Sequence, residues 1–304
     1  MTKGNTIDPF MKALKAVNQI SQGKEHLSED DLKKQRTSME LASKLATPPI
    51  GVSSERFTVG TIPAEWHRPD FVHNTKHVIL YCHGGGYTCG GLGYAGILAS
   101  KLAIHTGLEV LSFEYRLAPE YPYPAAFEDT VAMWDYMMQK GYGASSVILA
   151  GDSAGGNLAL TLAQHLKETE RFLPKALLLF SPWTDMTAIA KSYQAHKEDD
   201  PILSYDYIIS TRNAYVPPTE DLSQPKYSPL YGDFSGFPPT LIQVGRNEIL
   251  LDDSKLLASK MEKMDCFVRL EIFEKGWHVF QQMPIPMATK AMKSVGDFVT
   301  EVLY

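Results

Sequence analysis

The sequence predicts an α/β protein: a mostly parallel central sheet flanked by helices, with a helical cap. Three observations carry that reading. Strand-like and helix-like segments alternate over most of the chain, several strand candidates are apolar almost throughout, and one long interval breaks the alternation. A run such as Ala176-Leu177-Leu178-Leu179-Phe180 belongs to a strand buried on both faces. That is the condition of parallel strands covered by helices.

In chain order, residues 1–46 read as helical, with Phe10, Met11, Leu14, Val17 and Ile20 at amphipathic spacing. The segment ends at the Pro48-Pro49 breaker. Strands are expected at Glu55–Val59, His77–Cys82, Leu108–Tyr115, Val147–Ala150, Ala176–Ser181, Thr240–Val244 and Val268–Phe273. Helices are expected between most of them, at Ala95–His105, Ala125–Gln139, Gly155–Lys167, Asp253–Met264 and Met287–Leu303. Between Thr184 and about Lys226 no strand pattern appears, and the stretch is charged (Lys197, Glu198, Asp199, Asp200). Ligands of such sheets bind at the strand ends, where an insertion of this kind forms a lid. Residues 1–48 and 185–226 are therefore assigned to the cap, and 49–184 and 227–304 to the core.

Composition narrows the function classes. With 304 residues, 44% hydrophobic and 21% charged, the chain can bury a large core, which excludes disorder and coiled coil. A net charge of −6, with no basic run longer than Lys33-Lys34, argues against a nucleic-acid partner. Three cysteines (Cys82, Cys89, Cys266) are too few, and odd in number, for a disulfide framework. No apolar stretch reaches the roughly 18 residues that span a bilayer, and Met1–Ile20 lacks the apolar core of a signal peptide. A cytoplasmic protein without membrane or nucleic-acid partners is the expectation.

The strongest chemical element is Gly151-Asp152-Ser153-Ala154-Gly155, between a strand and a helix. In G-x-S-x-G the glycines permit a turn sharp enough to expose the serine at the sheet's edge. His83-Gly84-Gly85-Gly86 directly follows another strand. Successive glycines let backbone N–H groups approach a ligand oxygen, forming an oxyanion hole with the N–H of the residue after the nucleophile, Ala154. Gly91-Leu92-Gly93-Tyr94-Ala95-Gly96 imitates a dinucleotide fingerprint, but it starts too far from the end of its strand at Cys82. No His-Glu-x-x-His, Cys-x-x-Cys or P-loop occurs, so neither metal nor cofactor is expected. Tyr87, Trp183, Tyr193, Tyr205 and Tyr207 are aromatics suited either to an acyl pocket or to packing.

A serine nucleophile needs a base, and the base needs an acid to fix its tautomer. In the α/β-hydrolase order of serine, acid, histidine, only His165, His196 and His278 follow Ser153. His165 lies ~18 Å along the next helix, and His196 falls in the charged insertion. His278 follows the Val268–Phe273 strand on a loop and is the chosen base. The acid belongs on the loop after Thr240–Val244, which offers Glu248, Asp252 and Asp253. Asp252 and Asp253 suit the start of the next helix. Glu248 is favoured and Asp252 stands next.

His83–Gly86, Tyr115-Arg116-Leu117-Ala118-Pro119-Glu120, Gly151–Asn157 and Ser181-Pro182-Trp183 resemble the hormone-sensitive-lipase-like esterases, family IV of the bacterial esterases. The similarity runs from about Ile50 to the C-terminus. It implies an α/β-hydrolase fold with a cap, and hydrolysis of short- to medium-chain carboxylic esters without a cofactor. Carried over, the oxyanion donors fall on Gly85, Gly86 and Ala154. The chain departs from the family's Asp-Pro-Leu-x-Asp-Glu stretch, where Glu248-Ile249-Leu250-Leu251-Asp252-Asp253 stands instead, with Glu248 at the acid's position. The implied partner is a small-molecule ester; a homodimer is a family-level expectation with no residue behind it. A lactone or amide hydrolase with the same triad, or a ligand-binding member without turnover, are the alternatives. The latter resemble plant hormone receptors that lack the histidine present here as His278.

Overall fold

The computed structural model describes residues 9–46 and 50–304. The Pro48-Pro49 break and the side chains of Phe10, Met11 and Leu14 lie outside the described residues. Eight strands form one sheet: β1 (Val52–Val59), β2 (Ile62–Pro69), β3 (Asn74–Cys82), β4 (Leu108–Phe113), β5 (Val147–Asp152), β6 (Ala176–Phe180), β7 (Thr240–Gly245) and β8 (Val268–Phe273). Their spatial order is β1-β2-β4-β3-β5-β6-β7-β8. Only β2 runs against its neighbours; β4 through β8 are parallel.

The sequence reading lacked β2. Prolines at Pro63 and Pro69, with the polar Glu65 and His67 between them, break its alternation. The strand forms because those polar groups find partners on adjacent strands. Glu65 pairs with Arg56 of β1 at 3.3 Å, and His67 Nε2 lies 3.0 Å from Ser112 Oγ of β4.

Side chains of the central strands alternate between two cores, as a period of two requires. Val78, Leu80, Cys82, Val147, Leu149, Leu177 and Leu179 face one core, while Ile79, Tyr81, Ile148, Ala150, Leu178 and Phe180 face the other. Helices α4 (Ala125–Gln139), α5 (Ala154–Glu168) and α8 (Leu251–Glu262) cover the first face. Helices α3 (Leu92–Thr106) and α9 (Pro286–Leu303) cover the second. Burial on both sides is why these strands are apolar throughout.

Before the sheet stand α1 (Pro9–Ile20) and α2 (Glu29–Leu45). Ser28 caps α2 in a reciprocal capping box with Asp31, which satisfies donors at the exposed helix start. After β6 come the single turn α6 (Ser192–Ala195) and helix α7 (Tyr205–Tyr215). The N-terminal pair meets this insertion: Ser204 Oγ donates to Asn18 Oδ1 at 2.5 Å, Gly23 N to Asp206 Oδ2 at 2.7 Å, and Asn213 Nδ2 to Glu25 O at 2.9 Å. Arg36 of α2 ties the same pair to the core. It donates to Thr88 O and Ala118 O and forms a two-pronged ion pair with Glu120 at 2.7 Å.

Candidate active site

Ser153 occupies the turn from β5 to α5, with φ 53° and ψ −120°. A side chain at Gly155 would place its Cβ 2.0 Å from Cys82 O and 2.5 Å from His83 O. Only glycine allows α5 to begin against the end of β3. The Ser153 backbone is held on both sides: its N–H donates to Phe180 O, and its carbonyl accepts from Trp183 N, each at 3.0 Å. Strain at this serine is thus kept by hydrogen bonds to the neighbouring strand end.

The glycine loop after β3 is fixed from below by a buried carboxylate. Asp152 Oδ1 accepts from Gly84 N at 2.8 Å and from Tyr81 OH at 2.5 Å; its other oxygen accepts from Tyr94 OH at 3.2 Å. Burial pushes the Asp152 carboxyl up, against the pull of these donors. Burial likewise pushes His83 down to about 4, so its ring is neutral and Nδ1 donates to Gly84 O at 2.7 Å. Gly85 has φ +112°, and a Cβ there would lie 2.1 Å from Cys89 O. Gly84 N–H is consumed by Asp152, whereas those of Gly85, Gly86 and Ala154 have no acceptor among the described residues.

His278 follows β8, and its Nδ1 lies 2.9 Å from Glu248 Oε2. Glu248 is fully buried, and its Oε1 accepts from Gly245 N at 2.7 Å and Ser181 Oγ at 2.9 Å. Ser181 Oγ also accepts from Val279 N at 3.2 Å, so one hydroxyl joins the Glu248 turn to the His278 loop. Burial acts to lower the His278 pKa, but the hydrogen bond and charge of Glu248, with Asp200 and Asp152 beyond, outweigh it and the net shift is upward. Asp252 lies elsewhere, accepting from Ser192 N at 3.0 Å and pairing with Lys255 at 3.1 Å.

Ser153 and His278 line one cavity of about 40 Å³, although no Ser153–His278 hydrogen bond is present. Gly85 and Tyr94 contribute from the core side, Val17, Asn18 and Met39 from α1 and α2, and Ile202, Leu203 and Tyr207 from the insertion. A Cβ at Gly86 would lie 2.8 Å from Tyr207 Oη, so α7 rests directly on the glycine loop. Of the other aromatics singled out, Tyr87 stacks on Tyr215 at 3.6 Å, and Trp183 and Tyr193 are buried in the core. His165 packs edge-on against Phe127, and His196 lies beside Asp199; neither approaches Ser153 in the cavity lining.

Three residues of this neighbourhood were not picked out as site residues from the sequence. Ser181 was legible only as part of a motif. Gln282 lines the cavity, in the turn that follows His278. Asp200 of the insertion accepts from Ile249 N at 3.1 Å, next to Glu248, and from Ile202 N and Leu203 N at 2.9 Å. Burial pushes the Asp200 carboxyl up to about 6. No group of three or more His, Cys, Asp or Glu positioned to hold a metal ion occurs among the described residues.

The chain resembles known proteins over most of its length. Residues 79–282 match a family model described as an alpha/beta hydrolase fold. An esterase of Acinetobacter venetianus is 34% identical over 233 residues, covering 75% of this chain and 76% of that protein. An acetyl-hydrolase of Streptomyces hygroscopicus is 35% identical over 261 residues, covering 85% of each. A solved esterase of the bacterial hormone-sensitive lipase family superposes with a TM-score of 0.88 at 31% identity over the whole of both chains. These relatives favour ester hydrolysis over the lactone, amide and binding-only readings. The chain belongs to the hormone-sensitive-lipase-like (family IV) carboxylesterases of the α/β-hydrolase superfamily.

Proposed function

We propose that this carboxylesterase works through an acyl-enzyme on Ser153, with His278 as base, Glu248 as its acid, and the N–H groups of Gly85, Gly86 and Ala154 as oxyanion hole. The observation that carries the reading is the convergence on one cavity of Ser153 and a histidine already paired with a buried carboxylate. Asp252, bonded to Ser192 and Lys255, has no such contact.

Glu248 accepts from Nδ1, which leaves His278 Nε2 bare to take the Ser153 proton. The alkoxide attacks the ester carbonyl, and the oxyanion forms facing three N–H groups that need no reorganisation to receive it. His278 returns the proton to the leaving alcohol, and water then cleaves the acyl-enzyme by the same route. The Ser153–His278 hydrogen bond forms in this reading when substrate binds, as catalytic contacts that are long in the free enzyme tighten in the complex.

Residues 1–48 and 185–226 act in this reading as a cap over a core of 49–184 and 227–304. The narrow cavity suits short- to medium-chain esters. Three buried, unpaired cysteines fit a reducing, cytoplasmic setting. No helix among the described residues is long and apolar enough to cross a membrane. A homodimer is retained as a proposal that light scattering tests.

Turnover of p-nitrophenyl esters of rising chain length tests the function. Wild type should favour short to medium chains, and Ser153→Ala should lower kcat by at least ~10³-fold. Hydrolysis that survives the substitution would mean that Ser153 is not the nucleophile.

A further inference from the structure

The carboxylate of Asp200 sits where the insertion meets the core, and its two oxygens serve different sides. Oδ1 accepts from Ile202 N and Leu203 N at 2.9 Å, closing the turn that carries two residues of the catalytic cavity's wall. Oδ2 accepts at 3.1 Å from Ile249 N, which belongs to the peptide group joining Glu248 to Ile249. Ser192, on the same insertion, donates from Oγ to Ile249 O at 2.7 Å, and that Oγ accepts from Asp252 N at 3.1 Å. The insertion thus supplies a partner for both main-chain polar groups of Ile249.

A buried carboxylate is costly unless hydrogen bonds compensate it, and Asp200 is 8% exposed. Its three N–H donors provide that compensation, and bonds to a charged acceptor are the stronger kind. One of them fixes the backbone at Glu248. Glutamate has one more rotatable bond than aspartate, so its carboxylate keeps its place beside His278 only if the turn beneath it is held. The charges that act on Asp200 from the core are His278 and Glu248. On its own segment, His196 and Asp199 lie beside one another at 3.3 Å. Burial acts downward on the His278 pKa, and Glu248 followed by Asp200 acts upward.

We propose that Asp200 is a positioning residue of the catalytic site, tying the Glu248 turn and the cavity wall at Ile202 and Leu203 to one carboxylate. The insertion then supports the triad as well as enclosing the substrate. The inference rests on the reading of Glu248 as the triad acid.

Asp200→Asn separates the two ties. Its amide oxygen can keep both N–H groups of the 202–203 turn, as asparagine does in Asx-turns. Its amide nitrogen then meets Ile249 N, donor against donor. With p-nitrophenyl butyrate, kcat should fall about 10- to 100-fold while KM stays within about twofold. The acid-limb midpoint of kcat/KM should also move down, because an anion that favours imidazolium is gone; loss of folded protein cannot produce that shift. In a Glu248→Gln background the same change should cost less than about twofold in kcat, because no charged acid remains to be positioned. If Asp200→Asn does not fold, Asp200→Ser, with one oxygen for the turn and none for Ile249, is read in the same way. An unchanged kcat or an unmoved midpoint in the single variant, or a fully additive loss in the double variant, overturns the proposal. Glu248→Gln alone tells the two readings apart. If it leaves kcat and midpoint unchanged, the acid assignment fails and takes the proposal with it. A loss there without one in Asp200→Asn overturns only the role of Asp200.

Discussion

His278 feels opposed influences, and their balance sets a pH dependence. Burial disfavours its charged form, while Glu248, Asp200 and Asp152 favour it, and the net shift is upward. In the proposed mechanism, only neutral imidazole can accept the Ser153 proton. Activity is therefore lost as pH falls through the His278 pKa, and the acid limb of kcat/KM should have its midpoint above the ordinary ~6.5. Glu248→Gln removes the charge that holds the proton, so the midpoint should move down while kcat drops by about 10²–10⁴-fold. A pH–rate profile of both proteins checks this; an unmoved midpoint would dissociate Glu248 from His278. At this scale the sequence was informative wherever chemistry leaves a local signature. Ser153 and the Gly84–Gly86 loop stand in short patterns, and His278 follows from chain order. Asp200 and Gln282 have no such signature, and the motif that holds Ser181 does not show its contact with Glu248, because these residues meet segments remote in sequence or line a cavity wall assembled from several elements.

Among the elements, the β3 end, β5 and α5 are tightly interlocked. Gly155→Ala would drive a methyl group into two backbone carbonyls of the segment that carries the glycine loop. Neither can yield without shifting β3 or the Ser153 turn, so the melting temperature should fall by several degrees and kcat/KM by at least ~10²-fold. Gly143→Ala is the control, since its Cβ would make an ordinary 3.8 Å contact with Ser145 Oγ. Calorimetry and kinetics on both variants measure the contrast, and similar behaviour of the two would refute the interlock. The central strands were legible because burial on both faces makes them apolar. β2 was not, because its Glu65 and His67 are stabilised by Arg56 and Ser112, and a single-strand pattern holds no trace of such partners. The helix of the insertion was only partly legible. Ser204 caps α7 by accepting from Tyr207 N, but the helix has few apolar residues in regular register.

Across the whole molecule, some buried carboxylates oppose stability as pH rises. Asp253 accepts from Thr184 N and Asp185 N at 2.8 and 3.0 Å, yet burial pushes it up to about 8. The unfolded chain ionises this group near pH 4 and the folded chain near pH 8. The folded state binds more protons between those values, so stability falls as pH rises across the interval. Asp253→Asn removes that contribution, and the drop in melting temperature between pH 5 and pH 8 should shrink relative to wild type. Scanning fluorimetry at the two pH values decides it; an unchanged drop would mean that Asp253 does not titrate in this range. The division into cap and core was legible in outline from composition, but the attachments were not. Arg36 reaches Thr88, Ala118 and Glu120 across intervals that no local pattern spans. The cavity walls also have an order in time. Val17, Asn18 and Met39 are synthesised before Ser153, and Ser153 before His278, so a nascent chain carries part of its cavity wall before it carries the proposed base.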